Sequence, residues 1–319
     1  MLTKKHQRAL SLSILIAVGL YAFFIFTADT KKILTTMRQL DVSDWLIVLS
    51  CTFSSYIFRF IRWNNYIHTF EHKVPIKRHF AYYLAGLALT TTPAKAGETV
   101  RSLYLLPYGV KISQSLACFF TERLLDVTIM VCLASMLFFT FPGLDKKYTY
   151  FVVSLATVII LILPLLSTRI PQHILVFLIS RLPISKIAHA LQHLVSLLQS
   201  AHKILTIKLL SQGLLLGLIA WILNGIGFYL ILSLTGFPVD FTVALTIYAI
   251  SILAGAASFI PGGIGATEAV MGLLLLSLGS EQHVAIAVPI LTRLSTLWFA
   301  VAIGLLANSY LSINNTQSN

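Results

Sequence analysis

The chain has 319 residues, of which 57% are hydrophobic and only 11% charged. Soluble domains carry about 25% charged residues, so a soluble fold is excluded and a single integral membrane domain over residues 1–319 is expected. The net charge of +12 comes from basic residues at the ends of apolar runs, which argues against nucleic acid as a partner.

Met1 to Thr27 has the outline of a signal peptide, with Lys4, Lys5 and Arg8 ahead of an apolar stretch. No small-x-small cleavage pattern precedes Asp29, so Ala9–Thr27 reads as a first transmembrane helix. A polar connector leads to a second span, Trp45–Trp63, with Arg59 and Arg62 in its last turn, where long basic side chains snorkel to headgroups. Phe80–Thr92 is apolar but too short to cross, and it ends at Pro93. A second short helix to Leu106 completes a re-entrant pair over residues 79–107. The third span, Ser113–Phe141, carries Glu122, Arg123 and Asp126; the fourth is Tyr148–Ser167. Residues 168–208 mix apolar residues with Arg181, Lys186, four histidines and Pro183, and read as amphipathic helices lying at the interface. The fifth span is Leu209–Thr235. A second re-entrant pair, 241–279, and a sixth span, His283–Leu311, close the chain.

That second pair holds the most informative stretch, SFIPGGIGATEA, inside an apolar run whose only charge is Glu268. A turn at membrane depth survives only where protein buries it or where it lines a cavity, because its backbone groups lose water. TPAKAGETVR upstream echoes it. Pro93 and Gly97 are four apart, as are Pro261 and Gly265. Arg123 follows Glu98 by twenty-five residues, and Arg293 follows Glu268 by twenty-five. The order Pro-turn, Gly, Glu, buried Arg therefore occurs twice, giving repeats over 44–167 and 209–311. Duplicated broken helices mark a transporter site.

Six spans place the amino terminus, Arg59–Arg78 and Arg169–Lys208 on one side, with three, five and five basic residues. The other side has three in the first connector, Lys146 and Lys147 in the second, and none in 236–240. The richer side is cytoplasmic, so both termini are inside and the repeats are inverted.

Ionisable residues within membrane helices are functional candidates by default. Arg123 with Glu98, and Arg293 with Glu268, are expected partners, and Arg123 can also pair with Asp126 three residues on. Either these pairs only hold the fold, or Arg123 and Arg293 hold an anionic group such as a lipid phosphate. The helix starts after the Pro-turns, with Gly262, Gly263 and Gly265, add N–H donors, and Lys95 and Arg101 add charge. The histidine pairs 68/72 and 189/193 lack a third ligand, so no metal is expected, and no cofactor motif occurs. Cys51, Cys118 and Cys132 read as small apolar residues.

The segments TPAKAGETVRSLYLLPYGVKISQSLACFFTERLLD and FIPGGIGATEA, with the later LTRL, resemble the flippase-like transmembrane region of lysylphosphatidylglycerol synthases. Pro93, Gly97, Glu98, Arg101, Glu122, Arg123 and Asp126 carry the likeness in the first half. Pro261, Gly262, Gly263, Gly265, Glu268 and Arg293 carry it in the second. The resemblance implies an all-α polytopic flippase-like transporter, a stand-alone member without the soluble synthase domain, and no enzyme activity. It also implies a bacterial inner (cytoplasmic) membrane location and lipid partners with anionic or glycosylated headgroups. A small-solute or ion transporter, a non-transporting partner of a lipid-modifying or glycosyltransferase enzyme, and a membrane-embedded enzyme using Glu122 and Asp126 stay open as alternatives. So do a homo-oligomer and association with a lipid-synthesis enzyme.

Overall fold

Asp41 starts the first long helix by accepting from the Asp44 N–H at 2.9 Å, while the Asp44 carboxylate accepts from the Asp41 N–H at 3.0 Å. This reciprocal cap satisfies two donors that a helix start otherwise leaves unpaired. The computed structural model describes residue 19 and residues 30–140, 146–181 and 185–316. The expected first span, Ala9–Thr27, lies outside the described residues apart from Gly19. Among the described residues all regular elements are helical, and the protein is an all-α polytopic membrane protein.

Helix α1 is Thr30–Met37 and α2 is Val42–His68. Next come α3 (Ile76–Leu87), a 3-10 segment Pro93–Val100, a short α4 (Arg101–Leu105) and α5 (Ile112–Ala134). Helices α6 (Lys146–Ser167), α7 (Ile170–Arg181) and α8 (Ser185–Ile204) follow. The second half holds α9 (Ile207–Leu234), α10 (Phe241–Ala257), a Pro261–Gly263 turn, α11 (Ala266–Ser277), α12 (Gln282–Arg293) and α13 (Phe299–Thr316). Among the described residues, four stretches are long and apolar enough to cross a membrane: Val42–His68, Tyr150–Ser167, Ile207–Leu234 and Gln282–Ile313. The last joins α12 and α13 through a π turn at Leu294–Trp298, after Pro289 has interrupted the ladder. Helix α5 has 23 residues, but three of them, Glu122, Arg123 and Asp126, are charged.

Two expected boundaries are corrected. The second span does not end at Trp63. Helix α2 continues to His68, so Arg59 and Arg62 lie well inside it and not in its last turn. The third span does not run to Phe141. Helix α5 stops at Ala134, where the Ser135 hydroxyl bonds the Cys132 carbonyl at 2.6 Å and a single helical turn, Leu137–Thr140, follows.

Packing between the halves is reciprocal. Helices α2 and α9 form the largest contact, α5 packs on α10, and α13 packs on α3. In each half, the helix after the broken pair lies against the first arm of the other pair. The two Pro segments, 93–100 and 261–263, touch each other. Arg169–Lys208 forms α7 and α8, of which α8 packs on α5 and α7. Helix α6 leaves Ile160 and Leu161 exposed, as a lipid-facing helix does.

The α2–α9 contact depends on small residues. A Cβ at Gly217 would lie 2.6 Å from Arg62 Nη1, and one at Gly213 would lie 2.1 Å from the Tyr66 hydroxyl. Close backbone approach through small residues is the usual device for helix association in lipid. Gly217→Val is expected to cost about 1–3 kcal/mol by overpacking. Thermal unfolding of the purified protein in mild detergent reads this directly, and an unchanged midpoint would contradict the packing described.

Candidate functional site

Helix α2 carries polar residues at steps of three and four: Thr52, Ser55, Arg59, Arg62 and Tyr66. These steps keep them on one face, and that face turns inward; Arg62 is fully buried and Arg59 is 7% exposed. Arg62 Nη2 donates to Asp126 at 2.9 Å, and its Nε lies 3.5 Å from Glu122. Arg59 Nη1 donates to the other Asp126 oxygen at 3.4 Å, and its guanidinium stacks on Trp221, 4.1 Å from the ring centre. The expectation that both arginines snorkel to headgroups is therefore corrected. Their loop's basic count falls to Lys73, Lys77 and Arg78, and the side assigned to the cytoplasm stays the richer one.

Glu122 and Asp126 share a helix but serve different neighbours. Glu122 is fully buried and accepts from Arg101 at 2.6 Å. The Arg101 guanidinium lies 3.6 Å from the Trp63 ring centre and 5.0 Å from that of Tyr83, a cation–π setting that replaces part of its lost hydration. Asp126 is the hub of the site. It accepts from Arg59, Arg62 and the Trp221 indole N–H (3.2 Å), and it lies 3.3 Å from Arg123.

Both expected Arg–Glu partnerships form. Arg123 Nη2 lies 3.9 Å from Glu98, farther than from Asp126. Arg293 Nε donates to Glu268 at 3.1 Å, and its Nη2 donates to the Gly262 carbonyl. Gly262, Gly263 and Gly265 all have positive φ, at 64°, 65° and 88°. Glycine meets that left-handed requirement without a Cβ clash.

A cavity of about 380 Å³ lies where the two tips meet. Arg59, Lys95, Glu98, Arg123, Asp126 and Arg293 line its charged part. Phe120, Phe259 and Ile260, all exposed, contribute apolar wall. Among the described residues the Asn224 Oδ1 in the same wall is buried without a hydrogen-bond partner.

Of the sequence candidates, Lys95, Glu98, Arg123, Asp126, Gly262, Gly263 and Arg293 reach this cavity. Arg101 and Glu122 sit behind it, paired with each other. Gly97, Pro261, Gly265 and Glu268 support the tips without lining the space. Two of the three expected glycine donors are already used: Gly263 N–H bonds the Ile260 carbonyl at 2.8 Å and Gly265 N–H the Glu268 carboxylate at 2.8 Å, and at the first tip Gly97 N–H bonds the Thr92 hydroxyl at 2.6 Å. The first tip continues as a 3-10 segment, not an α-helix start. Anion recognition in this cavity therefore draws mainly on side chains, with the Gly262 N–H as the remaining glycine donor at the second tip. Sequence reasoning passed over Arg59 and Trp221; the stripe on α2 was the signal for the first.

A family model described as the lysylphosphatidylglycerol synthase TM region matches residues 10–304. A UPF0104 membrane protein of Pyrococcus horikoshii is 24% identical over 329 residues, covering 92% of this chain and 94% of that one. Two UPF0104 membrane proteins of Methanothermobacter thermautotrophicus are each 24% identical, over 295 and 331 residues, covering 86% and 96% of both chains in turn. Because the family match runs through both tips and every charged residue of the cavity, the chain belongs to the lysylphosphatidylglycerol synthase transmembrane-region family.

Proposed function

We propose that this protein moves a lipid with an anionic headgroup across the cytoplasmic membrane by alternating access, and is not an enzyme. The observation that carries this reading is the cavity itself: charged where the tips meet, apolar toward Phe120 and Phe259. That division suits a headgroup held inside and acyl chains left in the bilayer. Its volume of about 380 Å³ lies near the lower end of small-ligand sites, roughly 300–1,000 Å³, room for a headgroup and not for two chains. The reciprocal packing of the halves supports an inverted repeat, in which one central site faces either side in turn. Glu122, buried behind the cavity and held by two arginines, is poorly placed for acid–base chemistry with Asp126.

Arg123 is the cavity arginine most open to a ligand, with its side chain 21% exposed. In proteoliposomes carrying a fluorescent anionic phospholipid, Arg123→Ala is expected to slow lipid movement at least tenfold, with the thermal unfolding midpoint nearly kept. Undiminished movement would remove the proposed mechanism. Uptake of a soluble anion without lipid movement would favour a solute transporter.

A further inference from the structure

Charge counting narrows the headgroup, given the lipid reading above. Around the first tip, five cationic side chains meet three carboxylates. Glu122 is shared by Arg62 and Arg101. Asp126 is shared by Arg59, Arg62 and Arg123. Glu98 lies beside Arg123. Lys95 also lines the cavity, and among the described residues it forms no ion pair. The other tip is neutral, since Glu268 answers Arg293. Two positive charges are therefore left over, and they gather where Lys95, Arg59 and Arg123 face the cavity. A ligand that answers this surplus in full carries two negative charges.

We infer that the cavity is built for a phosphomonoester dianion, with Lys95 and Arg123 on its terminal oxygens and Arg59 behind them. A phosphodiester brings one negative charge and leaves one cation unanswered. A zwitterionic headgroup leaves both. A monoester also presents three terminal oxygens, which an ammonium and planar guanidinium groups can share. The ligand chemistry is common to a lipid ending in a phosphate monoester and to free inorganic phosphate. Acyl chains against the Phe120 and Phe259 wall are what would separate the two.

The test is native mass spectrometry of the full-length protein in mild detergent, with phosphatidic acid, phosphatidylglycerol and phosphatidylcholine offered in turn. A phosphate monoester loses its second proton with a pKa of about 6, so pH 7 and pH 5 compare the dianion with the monoanion. The expected result is at least tenfold preference for phosphatidic acid over phosphatidylglycerol at pH 7. That preference should shrink to about threefold or less at pH 5 and in Lys95→Met, which removes one of the two excess charges. Phosphatidylglycerol retention across the two pH values controls for titration of the protein. Equal retention of the two anionic lipids at pH 7, both lost in Arg123→Ala, would overturn the dianion while leaving the anionic-lipid reading. Retention of all three lipids alike would overturn both. Displacement of phosphatidic acid by inorganic phosphate at equal concentration would uphold the dianion site and overturn the lipid as its source.

Discussion

Asp126→Ala is expected to be among the most destabilising single changes in the site. Three arginines and the Trp221 indole converge on this one carboxylate. Arg62 is fully buried and keeps only Glu122, at 3.5 Å, once Asp126 is gone. Breaking a buried pair by removing one partner costs about 3–5 kcal/mol, because the remaining charge has no water to return to. That corresponds to several degrees in the unfolding midpoint, read by intrinsic fluorescence during heating in mild detergent. Asp126→Asn should fall between wild type and alanine, since an amide oxygen still accepts from Trp221 but carries no charge. Glu122→Ala should cost a similar amount, through Arg101 and Arg62. An unchanged midpoint in Asp126→Ala would mean that the arginines are hydrated and the cluster does not hold the fold. The contrast with Arg123→Ala matters: Arg123 sits at the cavity edge, so its loss should reach transport before stability.

The outline of this fold could be read in the sequence because its breaks are chemically conspicuous. Pro93 and Pro261 interrupt apolar runs, and the repeated Glu-to-Arg spacing ties each tip to a later helix. Both ties are present, Arg123 beside Glu98 and Arg293 on Glu268. What sequence spacing does not carry is which side chain arrives from a third helix. Glu122 and Asp126 lie one turn apart on α5, yet Arg101 meets the first, Trp221 and Arg59 the second, and only Arg62 both. Arg59 and Arg62 were misplaced for a related reason. The apolar run fades after Trp63, but Asn64, Asn65 and Tyr66 continue the helix, so the end of hydrophobicity was not the end of α2. Their three-and-four spacing from Ser55 and Thr52 marked an inward face all the same.

Arg293 offers the other large effect, and it differs in kind from Arg123. One edge of its guanidinium holds Glu268, and another donates to the Gly262 carbonyl at the turn itself. Gly262 in turn packs against the first tip: a Cβ there would come within 3.4 Å of Thr91 Cα. From these contacts Arg293 is expected to act as a positioning residue that fixes the second tip against the first. A lysine keeps the charge but lacks the planar fork needed to reach both partners. Arg293→Lys is expected to lose lipid movement at least tenfold in proteoliposomes while keeping wild-type anionic-lipid retention in native mass spectrometry. Arg123→Ala should lose both together. If Arg293 instead held the headgroup, lysine would preserve movement, or lipid retention would fall as far as it does in Arg123→Ala. Either result would return Arg293 to the ligand. The expected split between movement and retention would separate the group that shapes the tip from the group that grips the headgroup.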